Sequence, residues 1–143
     1  MITLRPVEPD DIPVFYEHQA DPEALALAAF PMRERAAFEE HWTRILANPA
    51  GLLRTVLLDG EVAGNVVAWD GDGGREVGYW IGRAYWGRGV ASAALAAFVE
   101  VERARPLHAW AATHNAPSMR VLEKCGFVRV RDDGDGVAFA LES

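Results

Sequence analysis

Two periods of apolar and polar residues alternate along the chain. "ITLRPV", residues 2–7, alternates as a strand does. "PDDIPVFYEHQA" then takes a helical spacing, with Asp10 or Asp11 as N-cap and Pro13 in the first turn, where its missing N–H costs little. From Arg33 to Leu46 the apolar positions Phe38, Trp42, Ile45 and Leu46 fall on one helical face, and Asn48-Pro49 stops the run. Asp21 to Met32 fits neither period and reads as a mobile loop over a site.

"LLRTVLLDGEVAGNVVAW" is two strand-like runs joined at Asp59-Gly60, a strong hairpin signal, and "DGDGGRE" turns the chain into a further strand, "EVGYWI". A helix is expected from about Val90 to Ala104, with Ala91, Ala94, Leu95, Phe98 and Val101 inward, followed by the strand "LHAWAA". The helix "APSMRVLEKC" ends at Gly126, and "FVRVR" and "VAFAL" form a hairpin around "DDGDG". About seven strands and about four helices in this order predict one α/β domain over residues 1–143, with a mixed, mostly antiparallel sheet covered by helices on both faces.

Composition narrows the function classes. The net charge of −7 disfavours nucleic acid and anionic membranes as partners and favours a cationic one, such as an amine. Glu17, Asp21 and Glu23 are acidic residues that would attract it, although as a solvated charge run they need no function. The lone Cys125 cannot form an intrachain disulfide and reads as a small residue at a helix end, and no zinc-ligand pattern occurs, so no metal is expected. The first residues lack the layout of a signal peptide and no apolar run approaches a membrane span, which makes the cytoplasm the expected location. Oligomeric state is not readable. Trp69, Trp80 and Trp110 lie in strands and read as core.

The stretch "YWIGRAYWGRGVASAAL", residues 79–95, concentrates glycine and arginine where a strand meets a helix. N–H groups in a first helical turn have no internal partners and sit at the positive end of the macrodipole, so such a turn suits a phosphate. Gly87 and Gly89 let the backbone approach a diphosphate, Ser92 offers a hydroxyl, and Arg88, with Arg83, offers charge. A turn that merely reverses the chain is the plainer alternative.

A second motif, "HNAPSMRVLEKCGF" from His114 to Phe127, joins the first. Together with "WGRGVA" it resembles the GNAT superfamily of acyl-CoA-dependent N-acetyltransferases, and most closely the branch related to ribosomal-protein N-terminal acetyltransferases, many members of which have other substrates. The family's diphosphate loop, Q/R-x-x-G-x-G/A, reads here Trp86-Gly87-Arg88-Gly89-Val90-Ala91, departing at Trp86. The resemblance implies a sheet splayed in the middle, with unpaired backbone groups at Trp80 and Ile81 for the pantetheine arm of acetyl-CoA. The loop from Gly87 to Ser92 would hold the diphosphate. Asn115 would hydrogen-bond the cofactor, a use that competes with capping the following helix.

The implied reaction is direct transfer of an acetyl group from acetyl-CoA to a primary amine of a small molecule or a peptide N-terminus. The amine must lose a proton, and the departing thiolate gains from a proton or a hydrogen bond. Many relatives of this type place a tyrosine seven positions after the motif asparagine to serve the thiolate, but that position is Leu122 here. Ser118 is the replacement the resemblance suggests, against a plain first-turn helix serine. Glu76, at the start of the splayed strand, is the candidate base, against a solvated strand-edge carboxylate. His114 is the second candidate, against an exposed loop histidine, and a water chain without a dedicated base is a third route. A catalytically silent acyl-CoA-binding module and a nucleotide-phosphate binding domain are the competing functions, and the second leaves the asparagine motif unexplained.

Overall fold

Strand β1 (Ile2–Pro6) begins the chain, followed by a 3-10 turn at Pro9–Asp11 and helix α1 (Ile12–Gln19). The computed structural model describes residues 1–29 and 31–143. Asp11 does not cap α1 with its side chain. Its carboxylate instead accepts two hydrogen bonds from Arg5, at 2.7 and 2.8 Å, and one each from the Thr55 hydroxyl and the Glu8 N–H. Burial alone would raise the Asp11 pKa, but these donors together hold it below the usual carboxylate range.

The stretch read as a mobile loop contains a helix, α2 (Pro22–Ala28). The Asp21 side chain accepts from the N–H groups of Glu23 and Ala24, Pro22 occupies the first turn, and Ala29 closes the helix in the left-handed region at φ 55°. A helix this short shows no apolar stripe, so a periodicity argument does not find it. Phe30, in the same stretch, lies outside the described residues. Helix α3 (Arg35–Ala47) buries Phe38 and Trp42 as expected, whereas Leu46 is exposed.

Strands β2 (Leu52–Leu58), β3 (Glu61–Gly71) and β4 (Gly74–Ile81) form an antiparallel meander beside β1. Helix α4 (Val90–Val101) crosses to β5 (Leu107–Ala112), and helix α5 (Ala116–Lys124) leads to the hairpin of β6 (Val128–Asp133) and β7 (Gly136–Leu141). The seven strands lie in the order β1-β2-β3-β4-β5-β7-β6. Among them β4 and β5 alone pair in parallel, so the sheet is mixed and mostly antiparallel. Among the described residues five helices accompany it, one more than the sequence pattern predicts.

Two apolar clusters lie on the two faces of the sheet. Leu95 and Phe98 of α4 and Leu122 of α5 pack with Val56, Val66, Val77, Ile81 and Phe139 on one face. On the other, Phe15 of α1 and Phe38 and Trp42 of α3 pack over Val62 and Val67, with the Phe15 and Trp42 rings 4.9 Å apart. Helix α4 ends at Val101, which is exposed rather than inward, and the next residue, Glu102, is buried and accepts from Arg75 at 2.7 Å.

Candidate active site

Parallel strands β4 and β5 pair only at Arg75↔Leu107 and Glu76↔His108. Beyond that point they diverge, so the C-terminal half of β4 has a neighbour on one edge alone. Gly82 N–H donates to the Ala63 carbonyl on β3 at 2.8 Å. Alternation along an antiparallel ladder therefore directs the backbone groups of Trp80 toward β3 and those of Tyr79 and Ile81 into the gap. This corrects the expectation of an open backbone group at Trp80. The Ile81 carbonyl accepts from the Trp86 indole N–H at 2.9 Å, so one of its two acceptor positions is already filled.

A cavity of about 400 Å³ opens at this gap. Trp80, Ile81, Trp86, Gly87, Gly89, Val90, Ala91, Ser92, Asn115 and Ser118 all line it, which brings together most of the residues singled out in the sequence. Gly87 and Gly89 have φ of +77° and +73°, in the left-handed region that other residues adopt at a cost, and a Cβ at either would touch nothing. Conformation, not space, requires glycine there. Gly89 caps α4 and aims the free N–H groups of its first turn at the cavity.

The charges are arranged differently from expectation. Arg88 does not line the cavity; its guanidinium lies 5.9 Å from the centre of the Tyr85 ring. Arg83 is bound by Asp21 at 3.4 Å and Glu23 at 3.0 Å and so ties α2 to the loop after β4. Both carboxylates are thus paired with Arg83. Arg120 lines the cavity, a cation the sequence reading passes over.

Asn115 caps α5, its Oδ1 accepting from the Ser118 N–H at 3.2 Å. Its side-chain NH₂ remains a donor toward the cavity, so capping and ligand binding use different ends of one amide. The Ser118 hydroxyl lies 2.7 Å from the Tyr79 hydroxyl. Burial pushes the Tyr79 pKa up to about 12, partly opposed by the Ser118 hydrogen bond. Tyr79 is the site residue that sequence reasoning misses. The signal for it is Leu122, which is buried and has no hydroxyl to offer, so another element has to supply one.

Neither candidate base lies in the cavity. Glu76 sits where β4 and β5 are still paired, with its carboxylate folded over Gly71, while the Trp69 ring covers the intervening Gly78. His114 is exposed, and its Nε2 is 2.7 Å from the Ala26 carbonyl, which commits the Nε2–H to anchoring α2.

A family model described as an acetyltransferase (GNAT) domain matches residues 1–128. The chain belongs to the GNAT acetyltransferases. Solved structures with the same fold include the GNAT-family acetyltransferase of Bacillus anthracis, at 19% identity and a TM-score of 0.84, covering 99% of this chain and 94% of that one. An acetyltransferase from Thermus thermophilus has 21% identity and a TM-score of 0.84, covering 100% and 97%. AAC(6')-Ib in complex with ribostamycin and coenzyme A has 19% identity and a TM-score of 0.83, covering 99% and 93%. No curated protein matches the sequence.

In this acetyltransferase a second cavity, about 620 Å³, adjoins the first from the side of α1 and α3. The two share Ala28, Tyr79, Trp80, Asn115 and Ser118. Trp69 and Trp110, expected in the core, are 40% and 44% exposed and form walls of this second cavity. No group of acidic, histidine or cysteine side chains that could hold a metal occurs among the described residues. Among the same residues no helix is long and apolar enough to cross a membrane.

Proposed function

We propose that the protein transfers the acetyl group of acetyl-CoA directly to a primary amine, with acetyl-CoA in the cavity beside α4 and the amine in the cavity beside α1 and α3. The observation that carries this reading is the meeting of the two cavities at Tyr79, Asn115 and Ser118 in the gap between β4 and β5. Gly87, Gly89 and the first-turn N–H groups through Ser92 hold the diphosphate, with Arg120 as counter-charge. The edge of β4 at Tyr79 and Ile81 and the Asn115 amide receive the pantetheine amides. Within the family we place the chain beside the ribosomal-protein N-terminal acetyltransferase branch, on its loop and asparagine motifs. Its lone Cys125 suits a cytoplasmic setting.

In the transfer, the amine nitrogen attacks the thioester carbonyl carbon, the C–N bond forms, and the C–S bond breaks with its electron pair leaving on sulfur. Tyr79, protonated at neutral pH, shares with the Ser118 hydroxyl a hydrogen bond that either oxygen can donate; with the phenol as donor, the serine O–H is free to hydrogen-bond the thiolate. A phenol with a pKa near 12 is too weak an acid to surrender its proton to a thiolate whose conjugate acid has a pKa of about 8.5. The pair therefore stabilises the leaving group, and the thiol takes its proton from solvent. Water in the amine cavity carries the nitrogen's proton away, with Glu76 as an acceptor at the end of that path.

Calorimetry and thermal melting with acetyl-CoA test this reading. A ligand at a hundredfold excess over its Kd stabilises the folded state by about 2.7 kcal/mol, which raises Tm by several degrees. Gly89→Val forces a β-branched residue into the left-handed region and should weaken acetyl-CoA binding at least about tenfold. Absence of binding at millimolar acetyl-CoA would refute the function, and a folded Gly89→Val protein with unchanged affinity would remove the loop from it.

A further inference from the structure

We propose that the acceptor is a small arylalkyl monoamine and that Trp69 and Trp110 are the residues that select it. The proposal rests on the acetyl-transfer reading above and concerns the second cavity. A volume of about 620 Å³ suits a small organic molecule rather than a folded substrate.

The charge around this cavity is wrong for a polycation. Among its described lining residues Asp70 is the one carboxylate, and Arg75 holds it at 3.1 Å. Arg33 and His41 also line the wall. Burial holds the His41 pKa below that of a free histidine, and the charges of Arg33 and Arg44 act in the same direction. Asp21 and Glu23 do not line this cavity, and both pair with Arg83. An aminoglycoside or polyamine would bring several positive charges to a wall whose one carboxylate among the described residues, Asp70, is already paired with Arg75.

The walls suit an aromatic body. A Cβ at Gly78 would lie 3.4 Å from the Trp69 ring, so this indole rests on bare backbone, and the Trp110 ring rests in the same way on Gly136. Each ring has one face fixed against the sheet, and each remains about two-fifths exposed, which leaves apolar surface for a ligand to cover. Gly78 precedes Tyr79 directly. Trp69, Trp110, Tyr79 and Ser118 all line this one cavity, so a ring on an indole and an amine at the Tyr79–Ser118 pair share the same space. A short alkyl linker would join an aryl ring on an indole wall to an amine nitrogen at the acetyl group.

The test measures thiol release from acetyl-CoA by the full chain with 2-phenylethylamine and tryptamine, against spermidine and kanamycin. The arylalkylamines should have kcat/KM values at least about tenfold above the polycations. Trp69→Ala and Trp110→Ala should each raise KM for 2-phenylethylamine about tenfold, in line with loss of an aromatic contact and its buried area, while acetyl-CoA affinity by calorimetry stays near that of the parent. A preference for polycations, no turnover of arylalkylamines by a protein that binds acetyl-CoA, or an unchanged KM in folded tryptophan variants would each overturn the proposal. Failure to bind acetyl-CoA at all would instead remove the transfer reading beneath it.

Discussion

The two ends of β4 are held by different kinds of bond. At its start, Arg75 donates to Glu102 at 2.7 Å, to the Ala50 carbonyl at 2.7 Å and to Asp70 at 3.1 Å, and backbone pairing to β5 is intact. At its end that pairing is gone, and side-chain hydrogen bonds hold the strand instead: Tyr79 to Ser118 of α5, the Trp80 indole to the His18 carbonyl of α1, and the Trp86 indole to the Ile81 carbonyl. A parallel pair of strands cannot open at one end unless the other is pinned, because backbone groups left without partners must be satisfied or wetted. The pinned end sets where the gap begins. The open end presents groups that a ligand carrying amides can engage.

Removing the pin should have the largest effect. The Arg75 and Glu102 side chains are only 15% and 8% exposed, so Glu102→Ala strands a guanidinium that has little water to recover. Loss of one partner of such a pair costs roughly 3–5 kcal/mol. For a domain of this size that lowers Tm by roughly 10 °C. A loss below about 1 kcal/mol in denaturant melts would mean that Asp70 and the Ala50 carbonyl suffice, and that the ion pair does not define the closed end.

Much of this contrast can be read in the chain and some cannot. Both hairpins and the glycine junction follow from period, turn residues and local sterics, all of which act within a few neighbouring residues, whereas the placement of β7 between β5 and β6 does not. The two cavity-lining glycines carry the positive φ that their position implies. What escapes depends on contacts distant in sequence. Tyr79 meets Ser118 across 39 positions and His114 meets Ala26 across 88, and no spacing rule encodes either. Trp69 and Trp110 read as core because strand tryptophans usually pack there, yet each lies over a glycine beside a cavity that only the assembled sheet creates.

At the open end, Ser118→Ala removes the hydroxyl offered to the thiolate. Loss of one such donor to a developing negative charge lowers kcat by about 10²-fold, close to 2.7 kcal/mol. Acetyl-CoA affinity should change little, since the contact forms fully only as the C–S bond breaks. Tyr79→Phe should give a smaller fall in kcat, because the serine remains but loses its orienting partner. With the Tyr79 pKa at about 12, kcat of the parent should show no decline from phenol ionisation up to about pH 10. A basic limb near pH 10 that vanishes in Tyr79→Phe would show that the tyrosine titrates at its ordinary value and donates a proton outright.

The smallest effect is expected at Glu76, and it separates the two ends most sharply. A carboxylate in contact with the amine would be worth at least about 10²-fold as a general base. Glu76 instead lies where β4 and β5 are paired, its carboxylate over Gly71, and it lines neither cavity. A proton reaching it must pass through water, and water has other exits from the cavity. With an accepted amine, Glu76→Gln should therefore lower kcat less than about tenfold at pH 7, and the difference should shrink as pH rises and the free amine fraction grows. Rates across the pH range for parent and variant decide it. A fall of about 10²-fold that recovers at high pH would mean that the carboxylate swings to the amine, joining the closed end of β4 to the chemistry of the open one.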